Sequence, residues 1–191
     1  MKKYELTTDT KIVLGKKLFR IKALVSFGNV KAGDLGGYVE RENNLSHEGD
    51  AWVFDNAWVS GNAEVSGNAE VSGNAWVFDN AKVSGNAEVS GNALVSGNAL
   101  VSGDADYTTI KGFGSEYRNT TFFKCKDGNI GVKCGCFYGT LDEFRSKVKE
   151  THKDSKFAKE YLMIADLMEY HFNSERKETD EEQNGQSREV H

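Results

Sequence analysis

AWVFDNAWVSGNAEVSGNAEVSGNAWVFDNAKVSGNAEVSGNALVSGNALVSGD, residues 51–104, is a single six-residue unit written nine times without a break. Its form is Ala-x-Val-[Ser/Phe]-[Gly/Asp]-[Asn/Asp]. A fixed hexapeptide period points to a parallel β-helix, because each repeat supplies one short strand and one corner and buries its apolar side only against its neighbours. Alanine and valine stand two positions apart, so in a strand both face the interior while the x residue faces outward. Gly-Asn, or Asp-Asn at 55–56 and 79–80, supplies corners that need positive φ. The chain has no proline, which suits a ladder whose N–H groups must nearly all donate.

Read from valine, V-S-G-N-A-x is similar to the hexapeptide repeat of left-handed β-helix proteins, with Val in the large interior site and Ala in the small one. That resemblance covers about a third of the chain and implies three hexads, eighteen residues, per triangular coil. It also implies a left-handed sense, against the usual crossover rule. Leu45–Asp50 and Ala105–Ile110 read as degenerate end hexads, Leu45 and Ala105 holding the alanine slot and His47 and Tyr107 the valine slot. The expected fold is therefore mainly β: a left-handed parallel β-helix of three to four coils, an N-terminal β module, and a C-terminal β-hairpin followed by two α-helices.

The flanks divide as follows. Residues 1–44 form the N-terminal module and cap. Within it, Lys11 to Phe27 alternates as strands with a turn at Gly15-Lys16, and Phe19, Ile21, Ala23 and Val25 share a face. Residues 45–110 are the β-helix. Residues 111–139 hold a hairpin centred on Asp127-Gly128, which would place Thr121, Phe123, Cys125, Ile130, Val132, Cys134 and Cys136 on one face. Lys124, Lys126 and Lys133 would then share the other, as bases available to a ligand. Residues 140–172 form two helices, the first opened by a Thr140/Glu143 capping box with Leu141, Phe144 and Val148 buried. The second begins near Ser155 and docks Phe157, Tyr161, Ile164, Ala165, Met168 and Phe172. Residues 173–191, polar and charged, are expected to be a disordered tail.

Chemistry-bearing residues are few. Cys134-Gly-Cys136 has the residue types of a metal or disulfide site, but no fourth ligand stands at suitable spacing and the phase of the hairpin places all three cysteines in apolar packing. No metal, cofactor or catalytic residue is expected. His47, His152, His171 and His191 are the only histidines, and none is paired with a nucleophile at a recognisable spacing. Gly33-Asp-Leu-Gly-Gly37 lacks the lysine of a phosphate loop and reads as a turn. The N-terminus carries charge without an apolar core, and no stretch approaches a membrane span, which gives the expectation of a cytoplasmic protein without membrane contact.

With eighteen residues per coil, side chains stack about 4.8 Å apart on three walls. One wall would carry Trp58, Trp76 and Leu94, with Ser60, Phe78 and Ser96 beside them. A second would carry Trp52 and Phe54, then an acidic column of Glu70, Glu88 and Asp106. The third would carry Glu64, Lys82 and Leu100. So much apolar surface on an exterior wall needs a cover. Three covers remain open: the chain's own termini, a second subunit, or an outside partner. Residues 45–110 hold nine acids and one base, net −8, whereas residues 1–44 hold nine bases and five acids, net +4. The negative rod makes direct nucleic-acid binding unfavourable.

The layout as a whole supports a second resemblance. Lys31-Ala-Gly-Asp-Leu-Gly-Gly-Tyr-Val39, Asn44-Leu-Ser-His-Glu-Gly-Asp-Ala-Trp-Val53 and Cys134-Gly-Cys-Phe-Tyr-Gly-Thr-Leu-Asp-Glu-Phe144 resemble segments of uncharacterised phage and prophage β-helix proteins. That resemblance implies a phage setting and no catalytic residues; by analogy with small phage proteins the expectation is a non-enzymatic oligomer that binds or inhibits a host protein, with counter-defence as one such role, and the β-helix resemblance implies a homotrimer. Two alternatives stay open: sequestration of a small nucleotide signal in clefts between subunits, and acyl transfer, which is common among left-handed β-helix proteins.

Overall fold

In the computed structural model each hexad contributes a two-residue strand made of its x residue and its valine, and these strands stack in three parallel sheets. The structure describes residues 1–185, with side chains through Asn173. An N-terminal hairpin of β1 (Tyr4–Val13) and β2 (Lys16–Ala23) precedes β3 (Leu35–Val39). The repeat strands follow as β4 (Trp52–Val53), β5 (Trp58–Val59), β6 (Glu64–Val65), β7 (Glu70–Val71), β8 (Trp76–Val77), β9 (Lys82–Val83), β10 (Glu88–Val89), β11 (Leu94–Val95) and β12 (Leu100–Val101). The sheets run β4-β7-β10, β5-β8-β11 and β6-β9-β12, each partner eighteen residues from the last. This is a β-solenoid of three full turns, with β3 and Leu45 adding most of a fourth.

Every repeat alanine and valine from Ala51 to Val101 is at most 1% exposed, so the alternation of the hexad is what fills the interior. Backbone bonds climb between turns, as in Trp58 N–H to the Ala75 carbonyl at 3.1 Å and Ser60 N–H to the Val77 carbonyl at 3.0 Å. Asparagines ladder at the corners, Asn62 to Asn80 and Asn68 to Asn86 at 3.1 Å each. Asp55 and Asp79 take the left-handed conformation that glycine holds elsewhere, with φ of 52° and 61°. Their carboxylates accept the Gly73 and Gly97 N–H groups of the turn above, at 3.1 and 3.3 Å, which offsets the strain of a side chain at positive φ.

The first turn departs from the period. Tyr38 and Val39 pair with Trp58 and Val59, and Leu45 bridges Val65, all offset by twenty residues. Two extra residues therefore occupy the corner between Leu45 and Ala51. This corrects the expected end hexad: Leu45 fills a valine slot, and His47 lies outside the core, stacked on Tyr4 at 4.4 Å. The hairpin turns at Leu14-Gly15, one residue earlier than expected, and β1 begins at Tyr4 rather than near Lys11. Gly36 and Gly37 belong to a strand and not to a turn. They are needed for space, since a Cβ at Gly37 would stand 2.5 Å from the Ala57 carbonyl oxygen.

Above the last turn the chain leaves the solenoid. Ala105 is exposed in a short 3₁₀ turn (Asp104–Asp106), and Tyr107 opens β13 instead of filling a valine slot. β13 (Tyr107–Ile110), β14 (Thr120–Lys124), β15 (Ile130–Cys134) and β16 (Phe137–Thr140) form an antiparallel sheet in that order. One face of the sheet plugs the solenoid through Phe123, and the other carries Phe122 and Val132 against the helices. α1 (Leu141–His152) starts at the expected capping box, with Glu143 N–H donating to Thr140 Oγ1 at 3.3 Å and Thr140 N–H to Glu143 Oε2 at 2.7 Å. Leu141, Phe144 and Val148 are its buried residues. α2 (Lys156–Gly185) buries Ala158, Tyr161, Ile164, Ala165, Met168 and Phe172. Its backbone continues through 173–185, where a tail was expected; residues 186–191 lie outside the described residues.

Candidate functional site

β3, β5, β8 and β11 place Tyr38, Trp58, Trp76 and Leu94 in register on the outer face of a six-stranded sheet that also includes β1 and β2. The Trp58 and Trp76 rings lie 4.8 Å apart and tilted by 38°, and Phe78 stacks on Trp58 at 6.2 Å. Trp58 is only 3% exposed, covered in large part by this column, whereas Trp76, Phe78 and Leu94 are half-buried. Tyr38 escapes the eighteen-residue period because it stands twenty residues before Trp58. Over its ring sit Lys11 Nζ at 3.8 Å and the Arg20 guanidinium at 5.7 Å, an arrangement that attracts cations to the ring face. Burial, with Arg20 nearby, lowers the Lys11 pKa. Lys11 also donates to the Asn56 carbonyl at 3.2 Å, and Arg20 pairs with Asp9 at 3.5 Å.

Ser60 and Ser96 occupy the rungs below and above Phe78. Their hydroxyls are buried and make no hydrogen bond. Such groups cost stability unless a partner arrives.

Trp52 is not on this surface. It is 1% exposed, edge-on to Phe27 at 5.4 Å and to Tyr4 at 6.1 Å, so the N-terminal module absorbs it into the core. Phe54 is half-buried against the same cluster. Trp52 is thus a packing residue of the cap, contrary to the interface role expected for it.

The acidic column is shorter than expected. Glu70 and Glu88 pair in register, a like-charge neighbour contact that disfavours the stack. Asp106 does not continue it. Its carboxylate accepts the Ser102 and Gly103 N–H groups at 2.8 and 3.0 Å and pairs with Lys124 Nζ at 2.8 Å, contacts that hold its pKa below the usual value against the opposing effect of burial.

The hairpin corrects a second expectation. Cys125 pairs with Asn129 around a three-residue loop, so Phe122 faces Val132 and Thr121 faces Lys133. The shift of one residue puts Lys124 and Lys133 on opposite faces, with Lys126 in the loop. It also separates the cysteines: Cys125 packs toward the solenoid and Cys134 toward the helices, while Cys136 is exposed in the β15–β16 turn. Burial, reinforced by Asp127, pushes the Cys125 thiol up to about 11. Cys134 accepts a hydrogen bond from Thr120 Oγ1 at 3.1 Å.

His47 is held by Lys3 N–H at 3.2 Å and by Glu42 at 3.3 Å, His152 lies beside Tyr161, and His171 beside Phe172. His191 is outside the described residues. Among the described residues no helix is long and apolar enough to cross a membrane. No protein-family model matches the chain, and no curated protein matches it.

Proposed function

We propose that the protein is a non-enzymatic binding protein that self-associates through the Trp58–Trp76–Leu94 wall and works by engaging a host protein in the manner of phage inhibitors. The carrying observation is the column itself: Trp76, Phe78 and Leu94 lie half-buried on one wall, with Trp58, Trp76 and Leu94 in register. A flat β-wall with large apolar side chains in register suits contact with another flat surface, where aromatic residues carry much of the binding energy. Closed rotational symmetry is the common outcome for homo-oligomers, and the β-helix resemblance makes a trimer, in which each subunit's wall meets a different surface of its neighbour, the expected stoichiometry. The phage setting and a counter-defence role rest on the second resemblance alone.

A second reading, sequestration of a small nucleotide, is favoured by one arrangement: Lys11 and Arg20 lie over Tyr38 at the foot of the stacked indoles, cations beside rings on which a base could stack. Thermal-shift titration with cyclic nucleotides and with acetyl-CoA, read beside light scattering, separates the readings. The binding-protein reading expects a mass that is a multiple of 21.1 kDa and no stabilisation by either ligand. Saturable stabilisation by a cyclic nucleotide would transfer the assignment to sequestration, and stabilisation by acetyl-CoA to acyl transfer.

A further inference from the structure

A cleft of about 310 Å³ opens between the 111–119 segment, the β15–β16 turn and the two helices, and none of the wall's residues line it. Its floor is apolar: Phe144 and Val148, both nearly fully buried, with Phe137 beside them. Its edge carries Arg118, His152 and Lys147, the last paired with Glu150 at 2.8 Å. The one carboxylate in the lining is Glu116, which stands 3.7 Å from Arg118 with both side chains largely exposed, a contact of little energetic weight. The size falls in the range of small-molecule sites, and an apolar floor with a few converging polar groups is their usual composition.

Arg118 lies against Gly135. Its Nη1 would lie 2.5 Å from a Cβ placed on Gly135, and Gly135 also has φ of 57°. Glycine at 135 thus serves the tight Cys134–Phe137 turn and leaves room for the guanidinium to lie across it. A guanidinium at the rim of an apolar slot presents a planar fork suited to carboxylate or phosphate oxygens.

We infer that this cleft binds a small molecule with a flat apolar body and one anionic head, a carboxylate or a phosphate monoester. The body lies on Phe144, Val148 and Phe137, and the head meets Arg118. This goes beyond the proposed binding function, since the cleft belongs to the C-terminal sheet and helices and is independent of the wall.

The test is calorimetric titration of the full chain with 2-naphthoate, 2-naphthyl phosphate and the neutral 2-naphthalenemethanol. At least one anion saturates at a single site, and the alcohol binds at least tenfold more weakly. Arg118→Ala weakens the anion about tenfold or more and leaves the alcohol unchanged. The stronger anion tells carboxylate from phosphate as the preferred head. The inference is overturned by no saturable anion binding, by equal affinity for the alcohol, or by an Arg118→Ala protein that binds as wild type does. Binding lost in Trp76→Glu but kept in Arg118→Ala would place the probe on the wall and overturn it equally.

Discussion

Alanine substitution at two equivalent corners, Gly85 and Gly91, should have unequal costs, and the inequality follows from what lies above each. Both residues are left-handed, with φ of 63° and 66°. For an L side chain that conformation costs about 1–2 kcal/mol, partly offset by about 0.4–1 kcal/mol because alanine restricts the unfolded chain. Nothing lies within 4 Å of a Cβ added at Gly91, so Gly91→Ala should lose only about 1 kcal/mol. At Gly85 the added Cβ runs into the Ser102 carbonyl oxygen of the next turn. A backbone atom in a stacked corner has little room to retreat, and overpacking of this kind adds about 1–3 kcal/mol. Gly85→Ala should therefore lose about 2–4 kcal/mol. Guanidinium denaturation of both variants at one fixed protein concentration measures the difference. Equal losses, or a larger loss at Gly91, would refute the stacking of corners described above.

Two further outcomes follow from the C-terminal sheet. Phe123 is wholly buried at the end of the solenoid core, so Phe123→Ala should cost about 3–5 kcal/mol in the same denaturation assay; a loss under about 1 kcal/mol would mean that the sheet does not plug the solenoid. Burial, with Asp127 nearby, pushes the Cys125 thiol up to about 11 from an ordinary value of 9.0 that unfolding restores, so the stability it contributes is intact below pH 9 and falls as pH rises toward 11. With partial exposure discounted, wild type should lose on the order of 1–2 kcal/mol relative to Cys125→Ala across that window, and parallel stability curves would contradict the burial assigned to this thiol.

The solenoid was legible because its code is local. Ala and Val two apart settle which side faces in, and Gly-Asn or Asp-Asn marks each corner, so three walls could be drawn with the correct neighbours from Trp52 to Leu100. The helices were legible for a similar reason: the Thr140/Glu143 box and the apolar spacing of α2 lie within a few turns of themselves. Errors arose where one or two residues decide register. Asp127-Gly128 suggests a two-residue turn, yet the chain closes at Cys125 and Asn129, and that slip exchanges the faces of Phe122 and Phe123. Two extra residues after Leu45 hid both its valine slot and the place of Tyr38 in the aromatic column. The cover over Trp52 was illegible, since Tyr4 and Phe27 reach it through long-range packing that no period encodes. The cleft beside Arg118 escaped notice because its lining converges from separated segments, with Gly135 as its only local sign.

The measurement that bears most directly on the wall is light scattering of wild type and Trp76→Glu, each paired with a melting curve. Trp76 touches Trp58 at 4.8 Å between centroids and pairs in register with Leu94, so glutamate there sets a charge into the centre of the column. Loss of the apolar contact together with an unpaired charge should weaken association by several kcal/mol, on the order of a thousandfold in dissociation constant. Wild type should be an oligomer and Trp76→Glu a folded monomer at the same concentration. A wild-type mass of 21.1 kDa, or a variant that keeps the oligomeric mass, would contradict the assignment of this wall as the subunit interface.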